Sequence, residues 1–188
     1  MIEDTNLTSC TKYLSQVEDK IKAIRKEMES KKATLSVFSA LDDVVYLFNV
    51  RAMGDVDTCP VGIAYATVSN DEVTLYCDSR KVESKSVQDH LKEITIKPYD
   101  DIVKDIQTHC ETKGNKVWVD TSRANYAISS VIPKNALVDN QNAVTPMKAC
   151  KNEAELEGMR NLDDVFENLV HLHSYSRITV TCLFFAKV

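Results

Sequence analysis

Stretches with the period of an α-helix alternate with short, apolar, β-branched runs along most of this chain, and that alternation points to a sheet covered by helices. The first stretch is residues 12–31, where Tyr13, Leu14, Val17, Ile21, Ile24 and Met28 recur at helical spacing. A strand over 34–38 follows. A short helix over 40–48 comes next, with Ser39 as its predicted N-cap and Asp42 and Asp43 at the favourable end of the dipole. Residues 49–60 read as irregular, punctuated by Gly54 and Pro60.

Strands over 62–68 and 72–77, joined by Ser69-Asn70-Asp71, read as a β-hairpin. A helix over 80–93 comes after it, then a strand over 94–98 that Pro98 either ends or places at an edge. A helix over 100–111 stops at Lys113-Gly114-Asn115, and Val117-Trp118-Val119 forms a buried strand. The rest reads as a helix over 122–132, a strand at 137–138, a lead-in at 145–147, a long helix over 151–168 and a tail strand over 178–188. The fold class is therefore α/β, a mixed β-sheet flanked by helices on both faces. Its predicted domains are 1–160 and an atypical C-terminal tail, 161–188.

Composition removes several functions. A net charge of -5 disfavours nucleic acid, which calls for a basic face. No apolar stretch approaches the roughly 20 residues that span a bilayer. The first residues lack the basic start and apolar run of a signal peptide, so the expected address is cytoplasmic. Six cysteines, Cys10, Cys59, Cys77, Cys110, Cys150 and Cys182, stand singly, and are expected as reduced thiols, mostly buried as small hydrophobes.

A search for chemistry yields no catalytic residue and no metal ligand set. With only 4 glycines there is no phosphate loop, and no serine or cysteine sits in a nucleophile elbow. Glu153, Glu155 and Glu157 are explained by the dipole at a helix start, as are Asp42-Asp43 and Asp100-Asp101. His171 and His173, two apart, point to opposite sides of a helix, and on a strand they would share a face. His90 and His109 read as surface or satisfied side chains on amphipathic helices.

Three segments carry a family resemblance. Ser39-Ala40-Leu41-Asp42-Asp43-Val44-Val45-Tyr46-Leu47-Phe48-Asn49-Val50-Arg51 is similar to the S-A-L-D-E-I-A-W-L-L-N-L-R of Xaa-Pro aminopeptidases, in the creatinase or pita-bread metallopeptidase family. Cys59-Pro60-Val61 stands where that family has N-P-V before a strand. Thr145-Pro146-Met147-Lys148-Ala149-Cys150-Lys151-Asn152-Glu153-Ala154-Glu155-Leu156-Glu157-Gly158-Met159-Arg160 resembles its S-P-I-x-x-x-K-A-x-K-N-x-x-E-I-E-G-M-R, with the start of the motif shortened.

The resemblance implies the creatinase N-terminal-like fold, found there as a non-catalytic middle domain. In the family a catalytic domain follows, whose aspartates, histidine and glutamates hold two divalent metal ions, typically manganese. In this 188-residue sequence 28 residues follow Arg160, and they do not resemble that domain. The implied function is structural or oligomeric, with no peptidase activity and no cofactor in this chain alone. The expected partners are a second copy in a homodimer, a full-length homologue or a proline-containing peptide. The last two belong to the alternative reading, a binding module that regulates a full-length enzyme in trans. The resemblance also places Asn49 and Arg51 near the interface with the catalytic domain of a complete enzyme, where they would be substrate-proximal or the arginine would help dimerisation. The plainer reading of Arg51 is that it satisfies carbonyls at a helix end. Ala52-Met53-Gly54-Asp55 departs from the family's R-G-S-D there.

Overall fold

The computed structural model describes residues 7–9, 16–52, 54–151, 153, 156, 157 and 160. The chain divides into two units, Met1–Cys150 and Lys151–Val188. In the second, residues 153, 156, 157 and 160 are helical, and Arg160 Nη1 donates to Glu153 Oε1 at 3.2 Å. The expected tail strand lies outside the described residues, as do the histidines at 171 and 173.

The first unit runs β1 (Leu7–Ser9), α1 (Val17–Lys31), β2 (Leu35–Phe38), α2 (Leu41–Leu47), β3 (Val50–Ala52), β4 (Tyr65–Ser69) and β5 (Val73–Tyr76). It continues through α3 (Lys85–His90), β6 (Thr95–Lys97), α4 (Asp101–Glu111), β7 (Val117–Val119), α5 (Tyr126–Ser130), β8 (Leu137–Asp139) and α6 (Val144–Ala149). Six strands form a mixed sheet in the order β6-β5-β4-β2-β7-β8, in which β4 alone runs against the others. β1 and β3 form a separate antiparallel pair.

Strand alternation sends side chains to two cores. Ala66 and Val68 of β4, Phe38 of β2 and Trp118 of β7 join one core with α1 and α2. Leu35, Val37, Val117 and Val119 turn to the opposite face, where Ile102 and Ile106 of α4 and Ile128 of α5 cover them. Helices thus flank both faces, because one face of each central strand could not be left in water. In α1 the buried positions Val17, Lys20, Ile21, Ile24 and Met28 form a single stripe. The helix ends where Lys32 turns left-handed and its N–H meets the carbonyls of Met28 and Glu29. After α4, Gly114 takes φ +96, which favours glycine although a Cβ there would meet nothing within 4 Å.

Several elements differ from expectation for local reasons. Residues 12–15 of the first expected helix lie outside the described residues. Ser39 does not cap α2: Ala40 occupies that position, and Ser39 Oγ donates to the Arg123 carbonyl at 3.2 Å. Part of the segment expected to be irregular is β3, whose partner is far off in sequence. The helix expected over 80–93 is broken into a 3₁₀ turn, Ser79–Val82, and α3, because the Asp78 side chain accepts from Arg80 N and caps the turn separately. The helix expected from Ser122 starts at Tyr126. Asp120 Oδ1 holds Ser122 N at 3.1 Å and Ser122 Oγ at 2.5 Å in a turn, and Asn125 Oδ1 caps Ile128 N at 3.0 Å. The lead-in at 145–147 is instead the helix α6.

The described cysteines are free thiols, but only Cys77 is buried among them, while Cys59 and Cys150 are exposed. Burial pushes the Cys77 thiol up to about 11.

Ile106 is 0% exposed at the centre of the α4 core. Ile106→Ala is expected to destabilise the domain by about 2–5 kcal/mol. Ile63→Ala, at a position 43% exposed, should stay within about 0.5 kcal/mol. Urea denaturation of both variants measures the difference.

Candidate functional site

The first turn of α2 places Asp42 and Asp43 side by side, and only Asp43 turns inward, to 0% exposure. A buried carboxylate demands charged and hydrogen-bonding partners. Asp43 Oδ2 accepts from Arg123 Nη1 at 2.8 Å and from Asn142 Nδ2 at 2.8 Å. Its Oδ1 accepts from Lys148 Nζ at 2.9 Å. Asp42 sits on the outer side of the same two cations, accepting from Arg123 Nη2 at 3.1 Å and from Lys148 Nζ. Asn142 also anchors α6, since its Oδ1 accepts from Val144 N and Thr145 N at 3.0 Å each.

Two carboxylates and two cations therefore tie the start of α2 to the loop after β7 and to α6. Partial burial would raise the Asp42 carboxyl, but Lys148 and Arg123 outweigh it and hold the group below its usual range. Burial likewise opposes the Lys148 ammonium, yet its bonds to Asp42 and Asp43 raise it. Asp42-Asp43 is thus more than a dipole pair. Arg123, Asn142 and Lys148 had no signal in sequence as its partners, although Asn142 three residues before Thr145 is a helix-start signature.

The second cluster lies where α2 ends. Asn49 takes φ 53 and is 1% exposed. Lys20 of α1, itself buried, donates to Asn49 Oδ1 and, at 2.5 Å, to the Tyr46 carbonyl, with its ammonium 4.2 Å from the Tyr46 ring centroid. Arg51 sits on β3 opposite Thr8, and its Nη1 donates to the carbonyls of Val50 at 2.7 Å and Val45 at 3.4 Å. The structure thus brings Asn49 to Lys20 and Arg51 to the end of α2. His90 Nε2 donates to the Phe48 carbonyl at 2.8 Å, beside the same helix end. His109 Nε2 is 2.8 Å from Thr34 Oγ1, and burial lowers its pKa.

Among the described residues, no group of three or more His, Cys, Asp and Glu side chains could hold a metal ion. The buried Asp43 carboxylate is already enclosed by an arginine and a lysine, a donor set that repels a cation. These residues do not fit a metal pair. Within the described residues, no helix is long and apolar enough to cross a membrane.

A two-sided mixed sheet with a charge-tied α2 defines an α/β domain. Residues 11–155 match the creatinase/prolidase N-terminal domain model, and the chain belongs to that family. Xaa-Pro aminopeptidase 1 of Dictyostelium discoideum is 34% identical over 146 residues, which cover 78% of this chain and 23% of that protein. Xaa-Pro aminopeptidase ApepP of Drosophila melanogaster is 33% identical over 142 residues, covering 73% and 23%. The crystal structure of X-prolyl aminopeptidase from Caenorhabditis elegans, described as a cytosolic enzyme with a di-nuclear active site, aligns with a TM-score of 0.79. That likeness has 25% sequence identity and covers 86% of this chain and 27% of the nematode one. The chain spans about a quarter of the length of these relatives.

The ion cluster has a definite pH signature. Asp42 is lowered from 3.8, so its contribution is present above that value and is lost as pH falls through the folded pKa. Lys148 is raised from 10.5, so its contribution is complete below that value and is lost as pH rises through the folded pKa. Stability measured by urea at stepped pH should fall at both extremes, and Lys148→Met should flatten the alkaline limb. Asp43→Ala, which strips two cations of their inner partner, should cost about 3–5 kcal/mol.

Proposed function

We propose that this chain provides the accessory α/β domain of an Xaa-Pro aminopeptidase-type protein, with a structural and oligomerisation role and no peptidase activity of its own. The observation that carries this reading is the match of residues 11–155 to an N-terminal domain, about a quarter of relatives that carry the aminopeptidase name. Peptide hydrolysis at a di-nuclear centre needs a metal-bound hydroxide between carboxylates, and the described residues gather no such donor set. Homodimerisation is the assembly proposed, and the cytoplasm the compartment, the latter supported by the cytosolic nematode relative.

A second reading is a module that binds a proline-containing peptide or a full-length homologue in trans. It is favoured by Asn49, a buried non-glycine residue in left-handed backbone two positions before Arg51. Such conformations concentrate at functional positions. Asn49 and Arg51 are the substrate-proximal pair in this reading, with the guanidinium gripping a peptide carboxylate.

The purified 188-residue chain, supplied in turn with manganese, cobalt and zinc, should release no N-terminal residue from Xaa-Pro peptides. Sedimentation equilibrium should show a dimer. Metal-stimulated turnover would overturn the accessory role, and a monomer at all concentrations would remove the oligomeric part. Under the second reading, Arg51→Ala should weaken saturable binding of a proline-containing peptide by about 1–3 kcal/mol.

A further inference from the structure

The sheet face beneath α4 is apolar over β2 and β7 but polar over β4, β5 and β6. The central strands present Leu35, Val117 and Val119, whereas their neighbours present Thr67, Thr74 and Tyr76. Beside α4 this leaves a trough of about 340 Å³, in the lower part of the range, roughly 300–1,000 Å³, of small-molecule sites.

The floor of the trough holds two hydroxyls. Thr67 and Thr74 stand directly opposite on paired strands, 4% and 3% exposed. Thr67 Oγ1 reaches the Tyr76 hydroxyl only at 3.5 Å. The Thr74 hydroxyl lines the trough and has no hydrogen-bond partner among the described residues. Among the described residues only Ser36 Oγ is a sealed-off side-chain oxygen without a partner, so the Thr74 hydroxyl stays accessible from the open trough and can meet a polar ligand there.

One end of the trough carries a carboxylate outside any ion pair among the described residues, and the other a lysine paired with an aspartate. At the hairpin end, the exposed Glu72 carboxylate makes no ion pair among the described residues. At the other end, Lys97 Nζ lies 2.7 Å from Asp105 Oδ2, which also accepts from the Tyr76 hydroxyl at 2.9 Å. Asp105 uses one of the three ammonium protons, and the Lys97 side chain remains 34% exposed. Lys97 is in register with Tyr76, four residues beyond Glu72 along β5. At about 3.3 Å per residue, the charged ends are about 13 Å apart. An extended peptide of about three residues spans some 10 Å at the same rise, and the two side chains close the remainder.

We propose that this trough binds a short extended peptide with free termini, its ammonium on Glu72, its carboxylate on Lys97 and its backbone amides on Thr67 and Thr74. The site lies on β4, β5 and β6, whereas Asn49 and Arg51 lie at the end of α2 and on β3. It is independent of the accessory role above, and either can fail alone. The test is a nitrogen-15 chemical-shift titration of the 188-residue chain with Ala-Ala-Ala, alongside its N-acetylated and C-amidated forms. Saturable shifts are expected at the amides of Thr67, Thr74 and Tyr76. Blocking either terminus, or Glu72→Gln, should weaken binding at least about tenfold. Thr74→Val, a near-isosteric change, should weaken it while leaving the spectrum of the free domain otherwise unchanged. Absence of saturable shifts in the trough up to about 10 mM peptide would overturn the proposal, as would binding indifferent to both blocking groups.

Discussion

The carboxylate of Asp43 is shut off from bulk solvent, and three other parts of the chain meet it there. Arg123 arrives from the loop after β7, Asn142 from the approach to α6 and Lys148 from α6 itself. Asp42 holds Arg123 and Lys148 from the outer side, whereas Asn142 meets Asp43. A buried ion cluster adds modest net stability, because desolvation offsets much of its attraction. What it supplies is position. Arg123 and Lys148 converge on Asp43 and Asp42, so the start of α2 fixes the course of the chain over two distant segments.

The α2 end shows a related economy of means with a single cation. Lys20 reaches in from α1 and meets carbonyl, amide and ring at once, holding Asn49 in a left-handed turn. That turn swings the chain from α2 into β3 within two residues. The order of elements there follows from side-chain chemistry as much as from apolar burial.

Much of the architecture was legible from residue patterns. The stripe from Val17 to Met28, the hairpin around Asn70, the edge strand before Pro98 and the buried Val117-Trp118-Val119 all appear where periodicity put them. The errors lie where a short polar side chain competes for backbone groups. Asp78, Asp120, Asn125 and Asn142 each decide where a helix starts, and a pattern of apolar residues does not record which oxygen meets which N–H. β3 was missed because its pairing with β1 is long-range. The Asp43 cluster was illegible for the same reason: a pair 105 residues apart leaves no local trace. Asp42-Asp43 looked like ordinary dipole chemistry because, at the level of the helix, it is that too.

The antiparallel β4 has a consequence for how the molecule is made. Its partners β2 and β5 are close in sequence, whereas β7 joins β2 only across a separation such as the 82 residues between Thr34 and Lys116. During synthesis a three-stranded half-sheet can therefore pair while β7 and α4 are still unmade. The side of that half-sheet awaiting α4 bears threonines and a tyrosine on two of its three strands. A nascent chain wearing hydroxyls there, instead of valines, presents less sticky surface to its neighbours while it waits.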